Sequence, residues 1–144
     1  MSNASVTWKQ GLSFTGTADS GFTLDLSGRA AAGGSEDGFR PTELLLVGLA
    51  GCTGMDVISI LQKKRQYVTS FQVKVSGQKA KTHPTVFTYI QVHYILSGPD
   101  LDPQAIEQAI ALSRDKYCSV SAMLDKTAVI EYTYEILAEV PTWT

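Results

Sequence analysis

Cys52 and Cys118 are the residues of this 144-residue chain with the most chemistry to offer. A thiolate is a nucleophile and a metal ligand, and it can be oxidised reversibly. The two cysteines stand far apart and make neither a CxxC pair nor a disulfide framework, so the expectation is a cytoplasmic protein with two reduced thiols. No spacing of His, Cys, Asp and Glu reads as a metal site, and no cofactor motif is present; neither metal nor cofactor is expected. At about 100° per residue, the helical face holding Cys52 also holds Leu45, Gly48, Met55, Asp56 and Ser59. Cys52, Asp56 and Ser59 then form a short polar seam, and Gly48, Gly51 and Gly54 remove bulk around the thiol, so that something must come close there. Read by itself, Cys52 fits an inert buried thiol, because free cysteine packs as a small hydrophobe.

The element that must position Cys52 is a long helix from Pro41 through Arg65. Leu44 to Leu61 is apolar or small at nearly every position, which places the helix inside a fold. Proline suits the first helical position, and Lys63, Lys64 and Arg65 put cations at the end the dipole favours. The run approaches the ~20 residues that span a bilayer. Asp56 and the three glycines inside it argue against a membrane.

Before the helix, Val6–Lys9, Leu12–Thr15 and Phe22–Leu26 alternate as a meander of three strands, and Gly28 to Arg40 is a loop too long for a simple connection. After it, Val68–Val75 and Val86–Leu96 read as two longer strands, the second with Val86, Ile90, Val92 and Leu96 on one face and His93 on the wetter one. Asp102-Pro103 supplies an N-cap and first-turn proline for a second helix, whose positions Ile106, Ala109, Ile110 and Tyr117 face the core. Cys118 follows at a helix boundary, where backbone N–H groups can stabilise a thiolate, and Ser119–Leu124 is a further helical turn. Ala128–Leu137 alternates as a terminal strand with Tyr132 and Tyr134 on one side.

This order is α+β, with one domain expected over residues 5–140 and residues 1–4 set aside as a disordered or cloning-derived N-terminus. A net charge of −2 and a pI near 5.6 leave no basic footprint for nucleic acid.

Two stretches resemble the OsmC/Ohr superfamily of thiol-dependent peroxidases: Pro41-Thr42-Glu43-Leu44-Leu45-Leu46 with Gly48-Leu49-Ala50-Gly51-Cys52, and Tyr117-Cys118-Ser119-Val120-Ser121. The run Gly51-Cys52-Thr53 and Met55-Asp56-Val57 ending in Lys63-Lys64-Arg65 is most similar to the YhfA-like branch. The resemblance implies an intertwined homodimer that reduces organic hydroperoxides, with Cys52 attacking the peroxide, Cys118 resolving the product and an external dithiol restoring the pair. Peroxidase members activate the thiol with an arginine from the N-terminal strands and a glutamate at the start of the central helix. Here no arginine precedes Arg29, that region offers Lys9, and Thr42 stands at the glutamate position with Glu43 beside it. Arg40, Arg29 or Lys9 is therefore the expected cation, with Glu43 as the supporting carboxylate. Asp56, one turn beyond Cys52, is expected to disfavour a neighbouring thiolate unless a backbone group or a partner-chain cation occupies it. Because the activating residues differ, the alternative is a non-catalytic dimer of the same fold that binds a small apolar ligand or senses redox state.

Overall fold

A computed structural model describes residues 1–138, so the expected domain end at residue 140 lies outside the described residues. The chain divides into two compact units, Met1–Leu45 and Leu46 onward.

The first unit is an antiparallel sheet in the order β1 (Ala4–Gln10), β2 (Ser13–Ala18), β3 (Thr23–Ser27). Ala4 belongs to β1 and pairs with Ala18, and the Asn3 N–H donates to Asp19 at 2.9 Å. The part of the N-terminus set aside on sequence grounds therefore takes part in the sheet. Gly11 and Gly21 turn the chain between strands with φ of +52° and +87°, values that side chains disfavour. The Gly28–Arg40 loop is anchored: the Phe39 N–H donates to the Asp25 carbonyl at 2.9 Å, and Ser13 Oγ donates to the Asp37 carboxylate at 3.0 Å.

The boundary between the units falls within α1, Pro41–Lys63. The helix stops in a Schellman arrangement, with Gln66 N–H on the Leu61 carbonyl, Arg65 N–H on that of Gln62, and Arg65 itself at φ +59°. The second unit is a sheet in the order β4 (Ser70–Lys79), β5 (Phe87–Ser97), β6 (Val129–Leu137). β4 runs antiparallel to β5, and β6 parallel to it. A parallel neighbour needs a crossover, supplied by α2 (Pro103–Leu112), a π turn (Ser113–Tyr117) and α3 (Ser119–Leu124).

The core of this unit lies between α1, α2 and one face of the sheet, and gathers Leu49, Val57, Leu61, Ile90, Val92, Tyr94, Leu96 and Ile106, all fully buried. Gly54 lets α1 approach β4, where a Cβ would sit 3.3 Å from Val73. Three sequence expectations are corrected here. The central helix does not bury its whole circumference: Leu49, Thr53, Val57 and Leu61, spaced by one turn, are buried, while Val47 and Met55 are 55% and 72% exposed. Val86 is exposed and Phe87 takes its core position, because the β4 to β5 register skips a residue, passing from Gln78↔Tyr89 to Lys79↔Phe87. Tyr117 is half exposed, because α2 gives way to the π turn at Ser113 and the helical repeat shifts with it.

Candidate functional site

Cys52 sits mid-helix in α1, half-buried, with Asp56 one turn beyond. Cys118 comes from the crossover. Asp102 caps α2 by accepting the Gln104 N–H at 3.0 Å, and the helix then widens into the π turn, closed by the Cys118 N–H on the Ser113 carbonyl at 2.8 Å. That five-residue turn points Ser113 inward and leaves Cys118 in extended backbone as the N-cap of α3. The Ser121 N–H donates to Cys118 Sγ at 3.4 Å. Cys118 thus lies at a helix boundary with a backbone donor on its sulfur, as the sequence predicts.

The fold brings Cys52, Asp56 and Cys118 together: both sulfurs and a carboxylate oxygen of Asp56 lie within 4.8 Å of one another. Burial, first of all, and the neighbouring Cys52 sulfur push the Cys118 thiol up, against the opposing pull of the Ser121 N–H. Cys118 is only 4% exposed, and Cys52 is the more accessible of the two.

Among the described residues no backbone group engages Asp56; its carboxylate accepts the Ser113 hydroxyl at 3.0 Å. Ser113 Oγ also meets Thr53 Oγ1 at 2.8 Å, and Thr53 Oγ1 meets the Tyr94 hydroxyl at 2.7 Å. The directions follow from proton counting. A serine hydroxyl has one proton, and Ser113 gives it to the carboxylate, so Thr53 must donate to Ser113 and Tyr94 to Thr53. The result is a polarised chain of hydroxyls, Tyr94, Thr53 and Ser113, ending on Asp56. Burial pushes the Tyr94 hydroxyl well above the usual phenol range. Sequence reading missed Thr53, Ser113 and Tyr94; a Thr beside the cysteine on the buried stripe is the one local signal that could have pointed to the chain.

The other predicted site residues lie in the first unit. Arg40 pairs with Glu43, guanidinium to carboxylate at 2.5 Å, and its own N–H donates to Glu43 at 3.1 Å. Lys9 pairs with Asp25 at 3.0 Å. Arg29 opens a short turn, its carbonyl accepting from Ala32 and Gly34. Lys9 and Arg40, expected as cations for a thiolate, thus each hold a carboxylate of their own unit. His93, on the wetter face of β5, contacts Thr133 at 2.7 Å through Nδ1 and Glu135 at 3.0 Å through Nε2.

Asp56 also lines a cavity of about 680 Å³, with Met55, Ser59, Ile60, Leu112 and Tyr117 as its mainly apolar wall and Lys63 and Lys64 beside them. Two thiols beside a carboxylate that itself lines a pocket make an arrangement suited to redox chemistry.

Comparison with known proteins bears on the same residues. The family model described as OsmC-like protein matches residues 33–133, which include both cysteines. Protein YhfA of Escherichia coli (strain K12) is 38% identical over 135 residues, covering 94% of this chain and 98% of that protein. The crystal structure of a hypothetical protein from Aquifex aeolicus VF5 superposes with a TM-score of 0.85 at 31% identity, covering 97% of this chain and 98% of the other. The organic hydroperoxide resistance protein OhrB of Bacillus subtilis shares the fold, with a TM-score of 0.63 at 19% identity over 94% of this chain and 98% of its own.

Proposed function

We propose that this chain, which belongs to the OsmC-like protein family, is a thiol-dependent reductase of organic hydroperoxides that works through a Cys52–Cys118 redox pair. The observation that carries the reading is the approach of two sulfurs, separated by most of a crossover and a sheet in sequence, to within 4.8 Å. In the first step the Cys52 thiolate attacks the terminal oxygen of ROOH. The O–O bond breaks, and the leaving alkoxide takes a proton, giving Cys52–SOH and ROH. Asp56, beside both sulfurs, disfavours a standing Cys52 thiolate, so in this route it takes the thiol proton only as attack proceeds and returns it to the alkoxide. In the second step the Cys118 sulfur attacks the sulfenic sulfur, water leaves, and a disulfide forms before overoxidation. An external dithiol then exchanges with the disulfide. The supporting residues expected from the sequence, Glu43 with Arg40, Arg29 or Lys9, take no part in this route.

The reading includes a homodimer. Val47 and Met55 point outward from α1, and a Cβ at Gly48 or Gly51 would meet nothing within 4 Å, so an apolar helix face is left for a second copy to cover. It also includes a cytoplasmic location, where dithiol reductants keep such pairs cycling.

Stopped-flow consumption of cumene hydroperoxide with excess dithiol tests the activity. Wild type is expected to accelerate it and Cys52→Ser to abolish the gain; equal rates for the two would end this reading. A second reading, an apolar-ligand carrier, has one observation in its favour. The first unit holds a cavity of about 480 Å³ lined by Val6, Phe22, Leu24, Leu26 and Leu44. Native mass spectrometry of freshly purified protein separates the two, because only a carrier retains a bound lipid.

A further inference from the structure

We propose that Cys52, Asp56 and Cys118 together form a binding site for a thiophilic divalent metal ion, with zinc the ion whose ligand preference this set matches. The inference goes beyond the redox reading and does not depend on it.

Zinc takes thiolate sulfur at ~2.3 Å and carboxylate oxygen at ~2.0–2.2 Å in a tetrahedron, so its ligand atoms stand roughly 3.5–3.8 Å apart. The three donor atoms here already lie within 4.8 Å of one another without an ion to draw them in. The remainder is a difference of about 1 Å, of the size that side-chain torsions can close. The backbone is fixed on each side. Cys52 and Asp56 are one turn apart on a 23-residue helix, and Cys118 is held by the π-turn bond to Ser113. Linear spacing conceals such a site, because two ligands come from one helical turn and the third from a crossover.

The groups behind the ligands are also those a metal site uses. Ser113 Oγ donates to Asp56 Oδ2, which fixes the carboxylate while lone pairs remain on it for an ion. The Ser121 N–H donates to Cys118 Sγ and disperses thiolate charge. Three protein ligands leave a fourth position, and the cavity that Asp56 lines can supply it with water or a small exogenous ligand. Two thiolates and a carboxylate around one divalent ion carry a net charge of −1, and Lys63 and Lys64 on the wall of that cavity complement it. Binding expels the protons of both thiols, so affinity rises with pH, and it occupies both sulfurs. A metal-loaded pair can neither attack a peroxide nor close to a disulfide; the ion and the oxidant compete for the same atoms.

The test uses the reduced full-length chain under anaerobic conditions, with no peroxide present, so that its outcome and that of the hydroperoxide assay are independent. Titration with Co²⁺ is expected to produce thiolate-to-cobalt charge-transfer absorption that saturates at one equivalent, and Zn²⁺ is expected to displace it. Competition against a chromophoric chelator then gives the zinc affinity. Asp56→Asn keeps both thiols and the side-chain shape, and is expected to weaken zinc binding by about 10–100-fold, as is Ser113→Ala through loss of the orienting hydroxyl. Circular dichroism of each variant shows that it is folded. Absence of the charge-transfer band in wild type overturns the proposal. So does Asp56→Asn binding zinc as tightly as wild type, which would reduce the site to two thiols capturing an ion adventitiously.

Discussion

Replacing Thr53 by valine removes the middle of the hydroxyl chain while keeping the shape of the side chain. Thr53 is 1% exposed and Tyr94 fully buried, so no bulk water replaces the missing oxygen. By the donor directions derived above, Tyr94 gave its proton to Thr53 and loses its acceptor, whereas Ser113 still donates to Asp56. A buried donor left without a partner costs about 1–3 kcal/mol, and for a chain of this size each kcal/mol shifts Tm by about 2–4 °C. The expected loss for Thr53→Val is thus roughly 2–12 °C. Tyr94→Phe alone removes a donor from an oxygen that still donates to Ser113, and is expected to cost less. In Thr53→Val/Tyr94→Phe both members of the pair are apolar, so the second substitution should recover part of what the first lost, with a coupling of about 0.5–3 kcal/mol. Urea unfolding of the four proteins, followed by circular dichroism, measures it. Additive effects would refute the donor assignment, because they would mean that the Tyr94 hydroxyl does not depend on Thr53.

Two further predictions concern packing and acid stability. A Cβ on Gly77 would lie 2.6 Å from the ring of buried Phe87, so Gly77→Ala is expected to destabilise by about 1–3 kcal/mol, and loss of that penalty in Gly77→Ala/Phe87→Leu would identify the ring as the cause. In the first unit the Ser13 hydroxyl, above all, holds the Asp37 carboxyl below the usual carboxylate range of 3.8. A depressed folded-state pKa contributes stability that is present above the unfolded value and is lost as pH falls through the folded one. The stability difference between wild type and Ser13→Ala, measured by urea unfolding, should therefore be largest near neutral pH and shrink below about pH 4; a difference constant across that range would contradict the assignment.

Element order was legible because it rests on local periodicity and punctuation. Asp102-Pro103 caps α2, Tyr132 and Tyr134 face the core from β6, and Cys118 ends a helical boundary, each as alternation and capping chemistry require. What was hidden depends on partners distant in sequence. Thr53 meets Tyr94 across 41 residues and Ser113 across 60, so neither contact leaves a mark in any window of a dozen residues. The π turn had the same effect. A continuing α-helix would have kept Tyr117 inward, whereas one widened turn buries Ser113 instead and delivers Cys118 to Cys52. The apolar run of α1 was visible, but its one-turn stripe of burial was not, since composition alone does not say which face the chain covers.

In the proposed cycle the two sulfurs act on each other. Intact-mass and peptide mapping of the reduced chain after one equivalent of cumene hydroperoxide tests it most directly. The wild type is expected to lose two hydrogens and to yield a peptide joining Cys52 to Cys118, with Cys118→Ser halting at a sulfenic acid on Cys52 that dimedone traps. Oxidation that accumulates on Cys52 in the wild type, with Cys118 still free to alkylate after unfolding, would contradict it.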